Sequence, residues 1–185
     1  MNIIYQRAYT DKELQEILKL QSRNLKETLT DKEMEKEGFV TLKHDLEILK
    51  KMNVRCAHCI AKHKDKIVGY ALSMHPDFKS DIPLLSSMFI EVEKTLKEKG
   101  LSVKYIAMGQ ICIDKDHRGK GIFRGLYQFM AQELNPEFDA IITEVDITNV
   151  RSSVAHQAVG FKVLKTHTAY GQNWEIISLD IKVRM

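Results

Sequence analysis

The fold is decided by residues 103–126, which read VKYIAMGQICIDKDHRGKGIFRGL. The run from Ile106 to Ile113 is apolar and contains several β-branched residues, a composition typical of a buried strand. A short charged stretch follows, and the RGKGIF segment at 118–123, called here the glycine turn, opens a helix. The apolar face of that helix holds Ile122, Phe123, Leu126, Tyr127 and Met130. The sequence therefore predicts a strand, a glycine turn and a helix in direct succession.

The glycine turn predicts a binding site for an anion. Gly119 and Gly121 have no Cβ, so a ligand can approach the main chain closely. The N–H groups in the first turn of a helix have no partner inside the helix, and the helix dipole adds partial positive charge there. Arg118 and Lys120 add two formal charges. Together these features suit a phosphate or a pyrophosphate.

Two common nucleotide-binding loops are excluded by the sequence of the glycine turn. A Walker A loop requires Gly-Lys followed by Ser or Thr after a longer gap, and the chain contains no such run. The dinucleotide fingerprint would require Gly at positions 119, 121 and 124, but position 124 is Arg. A basic helix start that binds no ligand remains an alternative interpretation.

The glycine turn resembles the Arg/Gln-x-x-Gly-x-Gly/Ala loop of the GCN5-related N-acetyltransferases (GNAT), whose main chain cradles the pyrophosphate of acetyl-CoA. A second stretch is similar to another motif of that superfamily: it reads TEV at 143–145, followed by Asn149 and by Gly160-Phe161. The two motifs occur in the expected order, each at a predicted strand-to-helix junction, so a chance match is improbable. The resemblance is strong over residues 103–165 and rests elsewhere on element order alone.

Composition and charge are typical of a globular protein and do not indicate a nucleic-acid partner. The chain has 185 residues, 44% hydrophobic and 29% charged, with a net charge of +3. We therefore expect one domain spanning residues 1–185, no nucleic-acid partner and no membrane span. Met1-Asn2-Ile3 begins no signal peptide, so a cytoplasmic location is expected. The CAHC sequence at 56–59 has no second Cys pair, and we expect structural thiols and no metal.

The order of helical and strand patterns predicts an α/β (α+β) fold. It is β-α-α-α-β-β-α-β-α-β-α-β-β, which indicates a mixed, mostly antiparallel sheet flanked by helices. Capping boxes begin the first two helices at Thr10 and Thr30. The sequence further predicts a third helix from Leu42 with His44 on its solvent face, and a hairpin of strands at 54–62 and 67–74. It also predicts a helix starting at Asp81 and Pro83, and a closing hairpin of 162–170 with 174–181.

The resemblance implies a mode of cofactor binding. In the superfamily, the strand that corresponds to 108–113 and the strand that corresponds to 141–145 splay apart, and acetyl-CoA lies in the gap. The implied contacts with acetyl-CoA are main chain at Ile111, Cys112 and Ile113, the turn residues Arg118, Gly119, Lys120, Gly121, Ile122 and Phe123, and the start of the next helix at Asn149 and Ser152.

The sequence departs from the superfamily pattern at two positions. Position 123 is Phe where Gly or Ala is usual, so its side chain must turn into the core. Position 156 is His where many members carry a Tyr that protonates the departing thiolate. Asn149, Ser152, His156 and Gly160 share one helical face, so His156 points where that Tyr would. It is either the general acid or a hydrogen-bonded structural histidine.

An acceptor amine needs a base, because an alkyl amine of pKa ~10.4 is only about one part in a thousand neutral near pH 7. Glu144 is the candidate base, since the matching glutamate is the proposed base in some relatives. The alternative is a Glu that faces solvent or pairs with a lysine. Asp146 shares a strand face with Glu144 and is the second candidate. Cys112 lies in an apolar run without a paired His or Asp, so a core thiol is favoured over a nucleophile.

The function predicted from sequence is therefore transfer of the acetyl group of acetyl-CoA to a primary amine. The acceptor, a small molecule or a peptide, is not identified by the sequence. Two rivals remain: a CoA-binding sensor or regulatory module without turnover, and an ordinary nucleotide-binding protein. A homodimer is possible through the C-terminal hairpin. Surface acids that could attract a cationic amine are Glu33, Glu35, Glu37, Asp77 and Asp81.

Overall fold

The structure is a computed structural model that describes residues 1–80, 83–169 and 171–182, with main chain only at 35 and 83–85. The described residues form helices and strands in the predicted order. The strands are β1 Ile4–Arg7, β2 Cys59–His63, β3 Lys66–Met74, β4 Tyr105–Ile113, β5 Ala140–Asp146, β6 Lys162–Ala169 and β7 Gln172–Asp180. The α-helices are α1 Asp11–Ser22, α2 Asp31–Glu37, α3 Leu46–Arg55, α4 Pro83–Glu98, α5 Ile122–Leu134 and α6 Val150–Val159.

The seven strands form one mixed sheet in the order β1-β2-β3-β4-β5-β7-β6. The ladders β1–β2, β2–β3, β5–β7 and β6–β7 are antiparallel, and β4–β5 is parallel. The predicted fold class is confirmed. The described β4–β5 ladder pairs only residues 105–107 with 140–142. The later residues of both strands, which include 111–113 and 143–146, lie beyond that ladder.

Contacts between residues divide the chain into two compact units. The first unit comprises residues 1–73 and 108–130, and the second comprises 74–107 and 131–185. The prediction of a single domain over 1–185 stays a prediction.

In the first unit, two glycines bring α5 close to its neighbours. A Cβ on Gly125 of α5 would lie 2.1 Å from the hydroxyl of Tyr5 on β1. A Cβ on Gly69 of β3 would lie 2.9 Å from Ile113 and 3.3 Å from both Ile122 and Leu126. A larger residue at either position would require the Tyr5 or Ile113 side chain to move, because each of them lies less than 3 Å from the added Cβ. The two glycines therefore allow α5, the helix that follows the glycine turn, to pack close to β1 and β3.

Helix starts in the first unit follow the sequence signals with one exception. Both predicted capping boxes form, at Thr10 with Glu13 and at Thr30 with Glu33. The third helix begins at Leu46, because the side chain of Asp45 accepts a hydrogen bond from the N–H of Ile48 and caps it there.

Three predictions about residues 42–62 are wrong in part. Leu42 and His44 precede α3, and His44 is 5% exposed where a solvent face was predicted. The helix extends to Arg55, beyond its predicted end, and Met52 is buried on its apolar face. The strand predicted at 54–62 therefore begins only at Cys59.

The second unit is built on the β5, β7 and β6 ladder, with α4 beside β6. Lys165 of β6 contacts the carboxylates of Glu98 at 3.0 Å and Glu91 at 3.6 Å, both on α4. The predicted helix start at Asp81 and the strand end at Tyr170 lie outside the described residues. The closing hairpin is confirmed over 162–169 and 172–180.

The three cysteines are buried thiols that form no disulfide bond. Cys56 caps the end of α3, Cys59 begins β2, and Cys112 lies on β4. Burial raises the pKa of the Cys112 thiol to about 12, which keeps it protonated and a poor nucleophile. Among residues 1–80, 83–169 and 171–182, no cluster of three or more metal-ligating side chains occurs. Within the same ranges no helix is both long enough and apolar enough to cross a membrane.

Candidate functional site

The glycine turn follows β4 directly. The strand ends where the N–H of Asp114 donates to the carbonyl of Val68 at 2.8 Å. A single helical turn at 115–117 then leads into Gly119 and Gly121, whose φ angles are +71° and +79°. Only glycine adopts such angles without strain. A Cβ on either glycine would meet no described atom within 4 Å, so space is open beside the main chain.

Arg118 holds the turn in place. Its Nε donates to the carbonyl of Ile113 at 3.1 Å, and its Nη2 donates to Oδ1 of Asn24 at 2.5 Å. Its Nη1 forms an ion pair with Glu37. Glu37 thus lies beside this guanidinium, and the charge of Arg118 as a contribution to anion binding stays a prediction. The Nζ of Lys120 donates to the carbonyl of Asp116 at 2.7 Å.

Several of the acidic side chains identified from the sequence form ion pairs within the chain. Glu33 and Glu37 both contact Lys115, at 3.2 and 3.7 Å. The sequence allows these carboxylates to attract a cationic amine, and in the structure cations of the chain itself pair with them. Asp77 contacts His75 at 3.0 Å. The side chains of Glu35 and Asp81 lie outside the described residues.

Phe123 turns inward, as its size requires. The ring is half-buried and meets the fully buried Tyr127 edge-on, with centroids 5.2 Å apart. Ile122 is also buried, against the site of Gly69. The first two helical residues therefore point their side chains into the first unit, while their N–H groups stay in the helix's first turn.

The second candidate region is the β5–α6 junction, residues 143–156. Glu144 on β5 and His167 on β6 are joined by a hydrogen bond of 2.6 Å between Oε1 and Nε2. Their side chains are 12% and 8% exposed. Burial raises the pKa of Glu144, and the hydrogen bond from His167 opposes that shift. Glu144 is thus neither solvent-facing nor paired with a lysine.

Asp146 forms the turn between β5 and α6. Its Oδ1 accepts hydrogen bonds from the N–H of Thr148 at 2.8 Å and from the hydroxyl of Thr148 at 2.7 Å. Its Oδ2 is buried and has no hydrogen-bond partner among the described residues. A buried carboxylate oxygen without a partner is unfavourable unless a ligand or water meets it.

Asn149 and Gly160 delimit α6 as predicted. The Asn149 side chain accepts from the N–H of Ser152 at 3.2 Å and caps the helix. Gly160 ends it with a φ of +118°, in the left-handed conformation. Asn149 is 8% exposed, so this cap is mostly buried.

His156 is buried on α6, packed edge-on against Phe161 at 5.1 Å. Its Nδ1 lies 2.8 Å from the carbonyl of Ser152 and 3.3 Å from the Ser152 hydroxyl. A carbonyl only accepts, so Nδ1 carries the proton. Burial lowers the pKa of His156 to about 4, which makes the ring neutral at pH 7.

A buried polar cluster in the first unit was not predicted from the sequence. It is formed by the side chains of Gln21, His44, Tyr70 and Gln110. Gln110 Oε1 accepts from Gln21 Nε2 at 2.7 Å and from the Tyr70 hydroxyl at 2.6 Å. Gln110 Nε2 donates to the carbonyl of Leu42 at 2.8 Å. Only the Gln110 position, inside a strand that is otherwise apolar, could have signalled it.

Comparison with known proteins identifies the class. The model of the acetyltransferase (GNAT) family matches residues 14–161, and the chain therefore belongs to that family. No curated protein matches the chain in sequence.

Several solved structures share the fold at low sequence identity. The ribosomal-protein-S18-alanine N-acetyltransferase of Escherichia coli superposes with a TM-score of 0.67 at 12% identity, over 100% of this chain and 97% of that one. The putative acetyltransferase yncA of Salmonella typhimurium, solved with acetyl-CoA, gives 0.65 at 13%, with the same coverage. A chain of the NatC complex bound to Gag peptide and CoA gives 0.63 at 12%, over 97% and 99%. These likenesses establish the fold.

Proposed function

We propose that the protein is an N-acetyltransferase that moves the acetyl group of acetyl-CoA to a primary amine by direct attack in a ternary complex. Membership of the GNAT family supports acetyl transfer, and one structural neighbour was solved with acetyl-CoA. The observation that carries the proposal is the glycine turn. Its two glycines have positive φ, a Cβ on either would enter open space, and Arg118 fixes the turn to three other groups.

The residues of the first unit would hold the coenzyme part of the substrate. The pyrophosphate would accept hydrogen bonds from main-chain N–H groups of residues 118–123, with Lys120 adding charge. The pantetheine arm would pair with the main chain of Ile111, Cys112 and Ile113, which lies beyond the described β4–β5 ladder.

In the second unit, Asn149 and Ser152 would contact the pantetheine arm. The oxygen of the Asn149 side chain is engaged by the N–H of Ser152. That bond fixes the orientation of the Asn149 side chain at the start of α6.

Glu144 is the proposed base. The protonated amine loses one proton to the Glu144 carboxylate, and its neutral nitrogen bonds to the acetyl carbon. As the bond from that carbon to sulfur breaks, the nitrogen releases a second proton to solvent and the coenzyme leaves as a thiolate. The raised pKa of Glu144 favours this role, because a base works best when its pKa approaches the operating pH. Asp146 is the alternative base, since its Oδ2 is buried and lacks a partner among the described residues.

His156 is the proposed donor of a proton to the departing thiolate. The ring must first gain a second proton at Nε2, and a pKa of about 4 opposes this. A thiolate that develops beside the ring would favour that proton, because a nearby negative charge raises the pKa of a histidine. The role of His156 thus depends on charge that forms only during the reaction.

The acceptor is proposed to be a primary amine of a small molecule or a peptide. Among the structural neighbours, one is named for acetylating an alanine of ribosomal protein S18, and another was bound to a peptide. Those names favour including peptide N-termini among the candidate acceptors.

The test is acetyl transfer to a panel of polyamines, amino acids, aminoglycosides and peptides with free N-termini. We expect at least one amine to yield both free CoA and an acetylated product of the correct mass. If the protein binds acetyl-CoA but acetylates no amine, the alternative of a CoA-binding module without turnover is favoured. The neutral, hydrogen-bonded state of His156 is the observation that keeps this alternative open.

A further inference from the structure

Two antiparallel ladders of the second unit place Glu144 and His167 on the same face of the sheet. Glu144 of β5 is opposite Ile176 of β7, and His167 of β6 is opposite Trp174, two residues away on β7. Residues opposite each other in a ladder, and residues two apart along a strand, point to the same face. The main chains of β5 and β6 are two strand spacings apart, roughly 9–10 Å. Both side chains must therefore extend over β7 to form their hydrogen bond of 2.6 Å.

This hydrogen bond engages one oxygen of Glu144 and leaves the other available. An ionised carboxylate only accepts, so Nε2 of His167 donates and Oε1 of Glu144 accepts. Among residues 1–80, 83–169 and 171–182, His167 is the only hydrogen-bond donor to this carboxylate. Oε2 has no partner in the same ranges and is not fully buried, so water can reach it.

Neighbouring charges do not replace His167. The charged side chains around the pair are Asp146 of β5, Lys165 of β6, and Glu91 and Glu98 of α4. The cation among them, Lys165, pairs with Glu98 at 3.0 Å and with Glu91 at 3.6 Å. Burial raises the pKa of Glu144, His167 opposes that shift, and the charge of Glu91 adds to it. His167 is thus the group that favours the ionised form of Glu144.

We infer that His167 is the positioning residue of the proposed base. Its Nε2–H holds the Glu144 carboxylate ionised and fixes its orientation, so that Oε2 accepts the proton of the acceptor amine. This inference rests on the proposed function. A mostly buried carboxylate without a donor would gain a proton more readily, and a protonated Glu144 could not act as a base. A hydrogen bond to an ionised group is also stronger than one between neutral groups, which suits it to orienting the carboxylate.

The test compares two amide substitutions that differ by one methylene. His167→Gln can place an amide N–H near the position of Nε2, whereas the shorter side chain of His167→Asn does not reach Glu144. Thr168→Val is the control for loosening of the hairpin, because it removes the hydrogen bond from Thr168 Oγ1 to Asn173 Oδ1 at 2.8 Å. All proteins are assayed with the same amine, so that ionisation of the amine is the same in each.

We expect His167→Asn to move the acid limb of the kcat/KM profile to higher pH by about one to two units, because a hydrogen bond to a charged group contributes that much. Below the limb, kcat/KM should fall about tenfold to a hundredfold, with a smaller loss at higher pH. His167→Gln should restore most of the shift, and Thr168→Val should not move the limb.

A double variant distinguishes positioning from general support of the sheet. In a Glu144→Gln background, His167→Asn should cause no further loss of kcat/KM, because His167 acts through that carboxylate. An acid limb that stays in place in His167→Asn, or equal losses in the two backgrounds, would overturn the inference.

A titration that needs no turnover separates this inference from the proposed function. The side-chain carboxyl ¹³C signal of Glu144 reports its ionisation in the protein without substrate. Its midpoint should rise by about one to two pH units in His167→Asn. If the midpoint rises but the wild type acetylates no amine, the transferase proposal fails and the control of Glu144 by His167 stands. If amines are acetylated and neither the midpoint nor the limb moves, the transferase proposal stands and the inference is wrong.

Discussion

The glycine turn and the β5–α6 junction are both strand-to-helix connections, yet they are built from different groups. The glycine turn offers main chain, and its side chains either pack inward, as Ile122 and Phe123 do, or hold the turn, as Arg118 does. The junction offers the side chains of Glu144, Asp146 and His156, and burial raises the pKa of Glu144 and lowers that of His156. The first can therefore select a ligand by shape, while the second can move protons.

The largest expected effect falls on the junction. Glu144→Gln should reduce turnover by a factor of about ten to a thousand, because the amine then loses its proton acceptor. Binding of acetyl-CoA, measured by calorimetry, should not change. Since the pKa of Glu144 is raised, the acid limb of the wild-type rate profile should lie above the pH expected for an ordinary Glu, and it should vanish in the variant. Unchanged turnover would transfer the role to Asp146, for which Asp146→Asn is the companion variant.

The next largest effect is expected at the glycine turn, where a substitution should weaken the binding of acetyl-CoA. Gly121→Ala places a Cβ on a residue with a φ of +79°, which costs about 1–2 kcal/mol. If the turn relaxes to relieve this strain, affinity for acetyl-CoA should fall by roughly 5–30-fold. Gly171→Ala is the matched control, with a φ of +73° and equally open surroundings in the β6–β7 hairpin. Equal loss of affinity in both variants would mean that only general stability had changed.

A third prediction uses the buried histidines. Burial holds the pKa of His58 at about 3 and those of His44 and His156 at about 4, below the unfolded value of about 6.5. Below pH 6.5 these histidines bind protons in the unfolded chain but remain neutral in the folded chain. The free energy of unfolding should therefore fall on acidification, by up to about 1.4 kcal/mol per pH unit for each histidine.

Denaturant titrations between pH 7 and pH 4.5 measure this slope. His156→Asn, which keeps a donor for the Ser152 carbonyl, should reduce the slope by about one proton. A slope that does not change would show that His156 is protonated in the folded state, and the general-acid proposal would gain strength.

The smallest effect tests how Arg118 acts. Glu37→Gln removes the charged partner of Arg118, and affinity for acetyl-CoA should fall about two- to fivefold if Arg118 positions the turn. Tighter binding would mean that the guanidinium acts as a charge for the phosphates. Glu33→Gln is the control, because Glu33 contacts Lys115 and Gln can keep its capping box with Thr30.

Features that depend on local chain chemistry could be predicted from sequence. The capping boxes at Thr10 and Thr30, the cap at Asn149 and the left-handed Gly160 follow from neighbouring residues, and the order of elements follows from periodicity. Features that depend on distant partners could not be predicted. Nothing near Glu144 in sequence indicates His167, and nothing near Arg118 indicates Glu37.

The boundary of α3 illustrates the same limit. An apolar pattern runs from Leu42 through Met52, but Asp45 caps the helix, and the segment before it is held by Gln21 and Gln110. Those two partners lie in α1 and β4, far away in sequence, so the burial of His44 could not be read from its own surroundings.

The burial of Cys56, Cys59 and Cys112 has a practical consequence for measuring the reaction. Colorimetric reagents that trap sulfhydryls react with accessible thiolates, and buried side chains respond slowly. The folded protein should therefore give almost no background colour, so that absorbance in a continuous assay reports coenzyme released at each turnover. A rising blank without acceptor would signal either hydrolysis of the thioester or unfolding, and denaturant would reveal three further equivalents per chain.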